Sequence, residues 1–540
     1  MGDSYEKFSL RSNIDHKLNE KLSLSFRSGL TYSVNDRVRG DEEIDGVLPN
    51  AISLPPVYPV YDVLGNYDEN GYFSNPVATA KESTTEARTL RNISSLELSW
   101  KMMEGLTLRN QWGVDFYNLH ERRIEPTTTR LGAESNGLIY EGRSNVSKLT
   151  QQLLLNYDKS LGTNHSISTL LGYSFEITQM RFNYISASNF PSVYPEFINS
   201  AGNIIEATTS ATDEGMNSFF GRIKYNFADK YLLEASLRAD GSSKFGTNNR
   251  YAFLPAASFA WRIIEESFMK SQSVFSDLKM KVGYGLTGND QIGNDRYQNL
   301  YITGENYYGQ PGLAPLQIPN PDLRWETTSN LNVGIDMEFL DGRFGLSAEY
   351  YNNLTEDLLM SRPLPGSSGF TSFMTNVGSI ENKGFEFTLN TVNFDKEFRW
   401  TSSFNISFNQ NKVLKLYNDQ PIYSDSRGQN AIITGEPLGV FYLYESKGVD
   451  PSTGDLVLTD KDNNGVINDN DRMVVGDPNP VFSGGFTNIL TYKGFDFRIF
   501  FQFIYGNDVY NGTRSYLENN SYGESDNQLA TVLTQWMQPG

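Results

Sequence analysis

Cysteine is absent from the 540 residues, histidine occurs three times, and positive charge is in short supply. Without thiols there is no disulfide framework and no thiolate metal site. His16, His120 and His165 lie far apart, each near the end of a strand-like segment. With no Gly-x-Ser-x-Gly elbow either, nucleophilic catalysis finds little support. A glycosidase-like carboxylate pair needs only a spacing of about 5–9 Å, which no sequence displays. Lys and Arg number 45 against 64 Asp and Glu, a net charge of -19. That balance excludes a nucleic-acid partner and a basic membrane-surface patch. No apolar run reaches the roughly 18 residues of a membrane-spanning helix. A membrane barrel stays open, because its strands are only half apolar. No secretory leader pattern precedes the first strand-like segment at Met1-Gly-Asp-Ser-Tyr5, so an exported chain of this kind is expected to be a piece of a longer product.

What is plentiful is aromatic: 31 Tyr and 34 Phe, in a pattern of period two. From Leu22 to Tyr32 one face carries Leu22, Leu24, Phe26, Leu30 and Tyr32, and the other Ser23, Ser25, Arg27 and Thr31. Leu331, Val333, Ile335, Met337 and Phe339 alternate with Asn332, Gly334, Asp336 and Glu338. Each such segment is a β-strand with one apolar and one polar face. About sixteen of them start near residues 7, 21, 88, 106, 148, 165, 218, 231, 251, 277, 329, 344, 384, 398, 482 and 494. Many run the roughly nine to eleven residues that a tilted strand needs to cross the hydrocarbon layer.

The connections alternate between tight turns, such as Met103-Glu-Gly105 and Thr491-Tyr-Lys493, and long segments near 34–87, 119–146, 177–216, 286–326, 353–380 and 410–480. Residues 262–276 read as a brief helical turn on the tight side. The expected fold is all-β: a large antiparallel transmembrane barrel, with long loops on one side and short turns on the other. A soluble β-sandwich or lectin-like assembly shares the alternation, which does not say which face is wet. Aromatics towards strand ends (Tyr32, Trp100, Tyr117, Trp261, Tyr284, Trp400 and Tyr505) suit girdles at headgroup level. By alternation alone, Arg11, Arg27, Arg109, Asp115, Arg238 and Asp240 are candidates for a polar lumen wall.

Within the 410–480 loop region, residues 460–471 place Asp460, Asp462 and Asn464 at loop positions 1, 3 and 5. Gly465 follows at 6, the Val466 carbonyl at 7, Asn468 at 9 and Asp471 at 12. An EF-hand-type loop wraps oxygens around Ca²⁺ or Mg²⁺ from those positions, as a structural clip. Asp stands where a bidentate Glu is usual and no helices flank the loop, so a solvated Asx turn is the alternative. Tyr58, Tyr61, Tyr301, Tyr307 and Tyr308, set among Asn, Asp and Gly in the long loops, offer stacking faces for sugars or peptides.

Several blocks resemble the SusC-like (RagA-type) TonB-dependent outer-membrane transporters. They include Leu237-Arg-Ala-Asp-Gly-Ser-Ser-Lys-Phe-Gly246, Gly283-Tyr-Gly-Leu-Thr-Gly-Asn-Asp290 and Asn320-Pro-Asp-Leu-Arg-Trp-Glu-Thr-Thr328. Asn376-Val-Gly-Ser-Ile-Glu-Asn-Lys-Gly384 and the acidic stretch from Asp460 to Pro480 continue the likeness, which spans residues 230–500; the region before 230 matches in strand pattern. The resemblance implies a barrel of twenty-two strands closed by an N-terminal plug, in a Bacteroidetes-type Gram-negative outer membrane. It also implies a SusD-like surface lipoprotein lid, energy from TonB-ExbB-ExbD through plug and TonB box, and import of oligosaccharides or peptides. Chain 1–540 would then be a partial barrel, and its sixteen strands alone are expected neither to insert nor to transport normally. A passive porin, a carbohydrate-binding surface β-protein and an enzyme are the rival readings.

Overall fold

The computed structural model describes residues 3–38, 46–303, 305–423, 429–519 and 525–539. Sixteen long strands form one antiparallel sheet in unbroken chain order. They are β1 (Ser4–Lys17), β2 (Leu22–Arg37), β3 (Thr84–Met103), β4 (Leu106–Glu125), β5 (Leu138–Leu161) and β6 (His165–Ser188). There follow β7 (Asn203–Phe227), β8 (Tyr231–Ser242), β9 (Tyr251–Arg262), β10 (Phe275–Asn289) and β11 (Glu326–Phe339). The last are β12 (Phe344–Glu356), β13 (Ser379–Asp395), β14 (Phe398–Lys415), β15 (Phe482–Tyr492) and β16 (Phe495–Tyr505). β1 and β16 lie at the two edges and do not pair with each other among the described residues. Among the described residues no helix is long and apolar enough to cross a membrane.

Register makes the two faces continuous. Met337 lies opposite Leu346, Leu346 opposite Leu389, Leu389 opposite Phe404, Phe404 opposite Phe486, and Phe486 opposite Phe501. On the other half of the sheet Leu108, Leu155 and Leu171 form one row. A slip of one residue would exchange the faces, so each apolar row pins its neighbour. Among the described residues nothing covers this face: Phe219 is 52% exposed, Leu237 54% and Phe501 57%. An apolar surface of that extent is unstable in water and marks contact with another apolar phase. The compact apolar clusters lie elsewhere, where loops fold against the sheet. Phe245, Ala252, Leu323 and Trp325 form one, and Ile139, Ala187 and Phe190 another.

The tight rim behaves as the spacing predicts. Lys493 (φ 47°) and Gly494 (φ 83°) are both left-handed, the geometry that suits a two-residue turn to strand twist. Residues 262–276 make short 3₁₀ turns at Ile263–Glu265 and Ser267–Met269. One connection breaks the alternation of lengths: 243–250, on the long-loop rim, is shorter than 263–274 on the tight one. The aromatic girdle needs correction. Trp261 shares the outward face with Tyr231, and Phe394 stacks on Trp400, both near tight turns. Tyr117, however, lies opposite Arg91 on the polar face, whereas Tyr284, opposite Leu331, stands at the long-loop end of the outward apolar run, as expected.

Two strands begin earlier than alternation indicates, at Leu138 rather than near 148 and at Asn203 rather than near 218. β5, β6 and β7 have 24, 24 and 25 residues. At about 3.3 Å per residue they are roughly 80 Å long, far beyond an apolar band about 25 Å tall. Their upper parts therefore rise past the band and carry polar groups on both faces. The long loops hold small sheets of their own. Tyr301–Thr303 pairs with Leu313–Pro315, and Leu359–Pro363 with Ser372–Asn376.

Candidate functional site

The face opposite the apolar rows is laid out in ion pairs. Arg27 on β2 grips Asp15 on β1 with Nη2, at 2.7 and 2.9 Å to the two carboxylate oxygens. Arg91 on β3 holds Asp115 on β4 through Nε at 3.0 Å and Nη2 at 2.6 Å. Arg238 donates from Nε to both oxygens of Asp240, at 2.6 and 2.7 Å, and from Nη2 to Ser218 Oγ at 2.9 Å. Lys148 pairs with Glu176, Lys224 with Glu234, and Lys281 with both Asp336 and Glu349. Arg11 and Arg109 stand on the same face, and neither makes an ion pair among the described residues. The structure thus sets all six alternation-chosen residues on one polar face. It also adds what spacing did not show: Arg91, Asp15 and Ser218 as their partners. Most of these pairs are half exposed, so each contributes little singly, and together they form a solvated wall.

Between these pairs small residues open a groove of about 610 Å³, with Ser168, Ser258, Gly283 and Gly334 along its floor and Lys281, Glu234 and Glu349 beside them. Long side chains at those floor positions would fill it. The arrangement offers hydrogen-bonding and charged groups along a shallow track, and among the described residues no nucleophile–base pair with a reactive geometry.

At the long-loop rim, Glu82 ties three loops together. It accepts from Tyr67 Oη at 3.2 Å, Thr128 Oγ1 at 3.3 Å and Tyr194 Oη at 2.8 Å. Arg130 adds two bonds to the carbonyls of Gly71 and Tyr72, at 2.6 and 2.7 Å. Sequence reading passed over Glu82 and Arg130, since their partners are far away in the chain. The candidate ligand tyrosines occupy two separate loops. Tyr61 packs on Tyr67 with ring centroids 5.2 Å apart, and Tyr58 lies half-buried beside Gly71. Tyr307 and Tyr308 meet edge to face at 4.9 Å on the other loop, 76% and 91% exposed, with Tyr301 nearby in the same hairpin. Among the described residues no ring contact joins the two groups.

The acidic loop brings together Asp460, Asp462 and Asp471, with one oxygen of each within 4.8 Å of the others. Asp471 is fully buried; Asn468 N–H donates to its Oδ2 and Lys461 N–H to its Oδ1, both at 2.8 Å. Those backbone donors, Asn468 first, hold its carboxyl below the usual range, so it is anionic at neutral pH. Asp460 accepts from the N–H groups of Asn464 and Gly465. Asn464 Nδ2 donates to Asp462, and Asn468 Nδ2 to the Val466 carbonyl. Gly465 at φ 80° supplies the sharp turn. The cluster is a set of hard oxygen donors that could hold a metal ion.

Comparison with known proteins agrees with this geometry. Residues 45–536 match the family described as TonB dependent receptor-like, beta-barrel. TonB-dependent receptor P3 of Formosa agariphila is 32% identical over 95% of this chain and 55% of its own length. SusC of Bacteroides thetaiotaomicron is 29% identical over 90% of this chain and 53% of its own length. The chain therefore spans about half the length of the curated relatives it matches. The RagAB peptide transporter structure aligns with 99% of this chain and 62% of that chain, at TM-score 0.87 and 24% identity, which shows a shared fold. Receptors, not enzymes, make up these matches. The chain belongs to the TonB-dependent receptors of the Gram-negative outer membrane, is similar to SusC among them, and its sixteen strands are barrel wall.

Proposed function

We propose that this wall serves TonB-driven import of oligosaccharides or peptides, with a SusD-like lipoprotein closing over the long loops. The observation that carries the reading is the two-sided sheet: one face apolar and uncovered, the other ion-paired and grooved. Such a wall offers lipid an oily exterior and solute a wet interior. Arg11, Arg27, Arg109, Asp115, Arg238 and Asp240 line the passage, and Tyr58, Tyr61, Tyr301, Tyr307 and Tyr308 meet ligand at its mouth. Energy comes through TonB-ExbB-ExbD acting on a plug. The shared fold with the RagAB peptide transporter supports the peptide class, and oligosaccharides remain the second class that the family resemblance implies. The test is uptake of labelled oligosaccharides and labelled peptides by cells carrying the full-length gene. The expected result is uptake that stops with a protonophore and with deletion of a co-expressed SusD-like lipoprotein. Uptake that survives both would make it a passive porin.

The acidic loop serves as a structural clip for Ca²⁺ or Mg²⁺, held by Asp460, Asp462 and Asp471 with Asn464, Val466 and Asn468 around them. Three converging carboxylates support this, one of them buried. Calcium titration of the protein should protect 460–471 from proteolysis, and Asp471→Asn should abolish that protection. Equal cleavage with calcium and with chelator would leave only an Asx turn.

A further inference from the structure

The outward face changes character above the apolar band. Across β3, β4 and β5 the last mixed row is Leu90, Asn118 and Asn145. One step further towards the long loops, Arg88, His120 and Arg143 lie opposite one another. The next row sets Arg122 between Glu86 and Glu141. These positions alternate in phase with Trp112, Val114 and Phe116, so the side chains belong to the face that meets lipid, not to the passage.

The carboxylates of this patch are taken. Glu86 pairs with Arg88 at 2.7 Å, and Glu141 is shared by His120 at 2.9 Å and Arg143 at 3.3 Å. Asp36, opposite Glu86 on β2, accepts from Ser4 Oγ at 2.8 Å. Arg122 has no ion pair or hydrogen bond among the described residues, and its Nε is sealed from solvent without a partner. Only that Nε is sealed; the two Nη groups stay open on the outward side, where a planar fork can donate to an anion.

We infer that Arg122, flanked by Arg88 and Arg143, forms a binding site for the phosphate-bearing headgroup of an outer-leaflet lipid. The inference rests on the apolar face meeting lipid. Given that, the patch stands just beyond the hydrocarbon on the long-loop side, where headgroup phosphates lie. A guanidinium fork donates two parallel bonds to a phosphate, and the two neighbouring arginines are within a strand of it to add charge. An acyl chain of the same lipid would run down the wall below, over Phe116 and Leu149.

The test uses the protein extracted from outer membranes in mild detergent, with folding read independently from the heat-dependent shift of the barrel on gels. Native mass spectrometry counts retained phosphorylated glycolipid, and titration uses diphosphorylated lipid A, dephosphorylated lipid A and inorganic phosphate as separate probes. The expected result is preferential binding of the diphosphorylated lipid, weakened about tenfold by Arg122→Gln and only a few-fold by Arg122→Lys. Unchanged binding in folded Arg122→Gln protein would overturn the site. Equal affinity for dephosphorylated lipid, or for inorganic phosphate alone, would overturn the headgroup assignment. Full-length protein that fails to give the barrel shift at all would refute the lipid-facing wall instead, so the two failures are distinguishable.

Discussion

Trp325 shows how one side chain secures a loop. It is 6% exposed, its Nε1 donates to the Arg250 carbonyl at 2.9 Å, and its ring lies 5.5 Å from that of Phe245. Trp325→Ala would leave a cavity and an orphaned carbonyl, and should destabilise the folded chain by about 3–5 kcal/mol in chemical denaturation. The two blocks carrying Phe245 and Trp325 were legible as family likeness, but their meeting in space was not. Glu266 shows a pH dependence at the tight rim. It accepts from Tyr231 Oη at 2.6 Å, from Trp261 Nε1 at 3.2 Å and from Lys230 Nζ at 3.2 Å. Tyr231 first, then Trp261 and Lys230, hold its carboxyl below the ordinary 4.5. A depressed carboxyl stabilises the fold above the unfolded value, and that contribution is lost as pH falls through the folded one. Amide protection of residues 263–269, corrected for intrinsic exchange, should therefore stay level above the ordinary 4.5 and be lost as the pH falls below it. Glu266→Gln should remove that step; a step that persists would assign it to another group.

Strands were legible where one face is oily and the other wet. The starts of β8, β9, β12, β14 and β15 stand where alternation places them, at residues 231, 251, 344, 398 and 482. β5 and β7 run further back because Leu138–Ser147 and Asn203–Asn217 rise above the apolar band. Water wets both sides there, so no period of two is imposed on the residues. The same reasoning separates neighbours on one strand. Val333 lies between Val282 and Tyr350 on the outward face, while Asn332 lies between Gly283 and Tyr351 on the polar one. Val333→Arg should cost about 2–4 kcal/mol in refolding of the full-length protein into lipid vesicles. Asn332→Arg, one residue away, should cost less than about 1 kcal/mol. Equal penalties would mean that the faces do not differ in environment.

For the whole molecule, the sixteen-strand order and the alternation of rims followed from spacing, because an up-and-down sheet pairs each strand with its sequence neighbour. Ion pairs such as Arg91–Asp115, and the crown knotted at Glu82, come from side-chain reach across strands and loops, which spacing does not encode. The chain spans about half the length of its curated relatives, so passage, energy coupling and lid are matters for the full-length protein. The two-faced wall is testable directly with single thiols in the full-length protein, to which residues 1–540 contribute no cysteine. Thiols placed one at a time from Leu108 to Phe116 on β4, in protein reconstituted in vesicles, should split by parity. Positions 108, 110, 112, 114 and 116 should be quenched by spin-labelled lipid and refuse a charged thiol reagent. Positions 109, 111, 113 and 115 should react with that reagent and escape quenching. Protection of both sets, or exchange of the two patterns, would contradict an oily exterior around a wet passage.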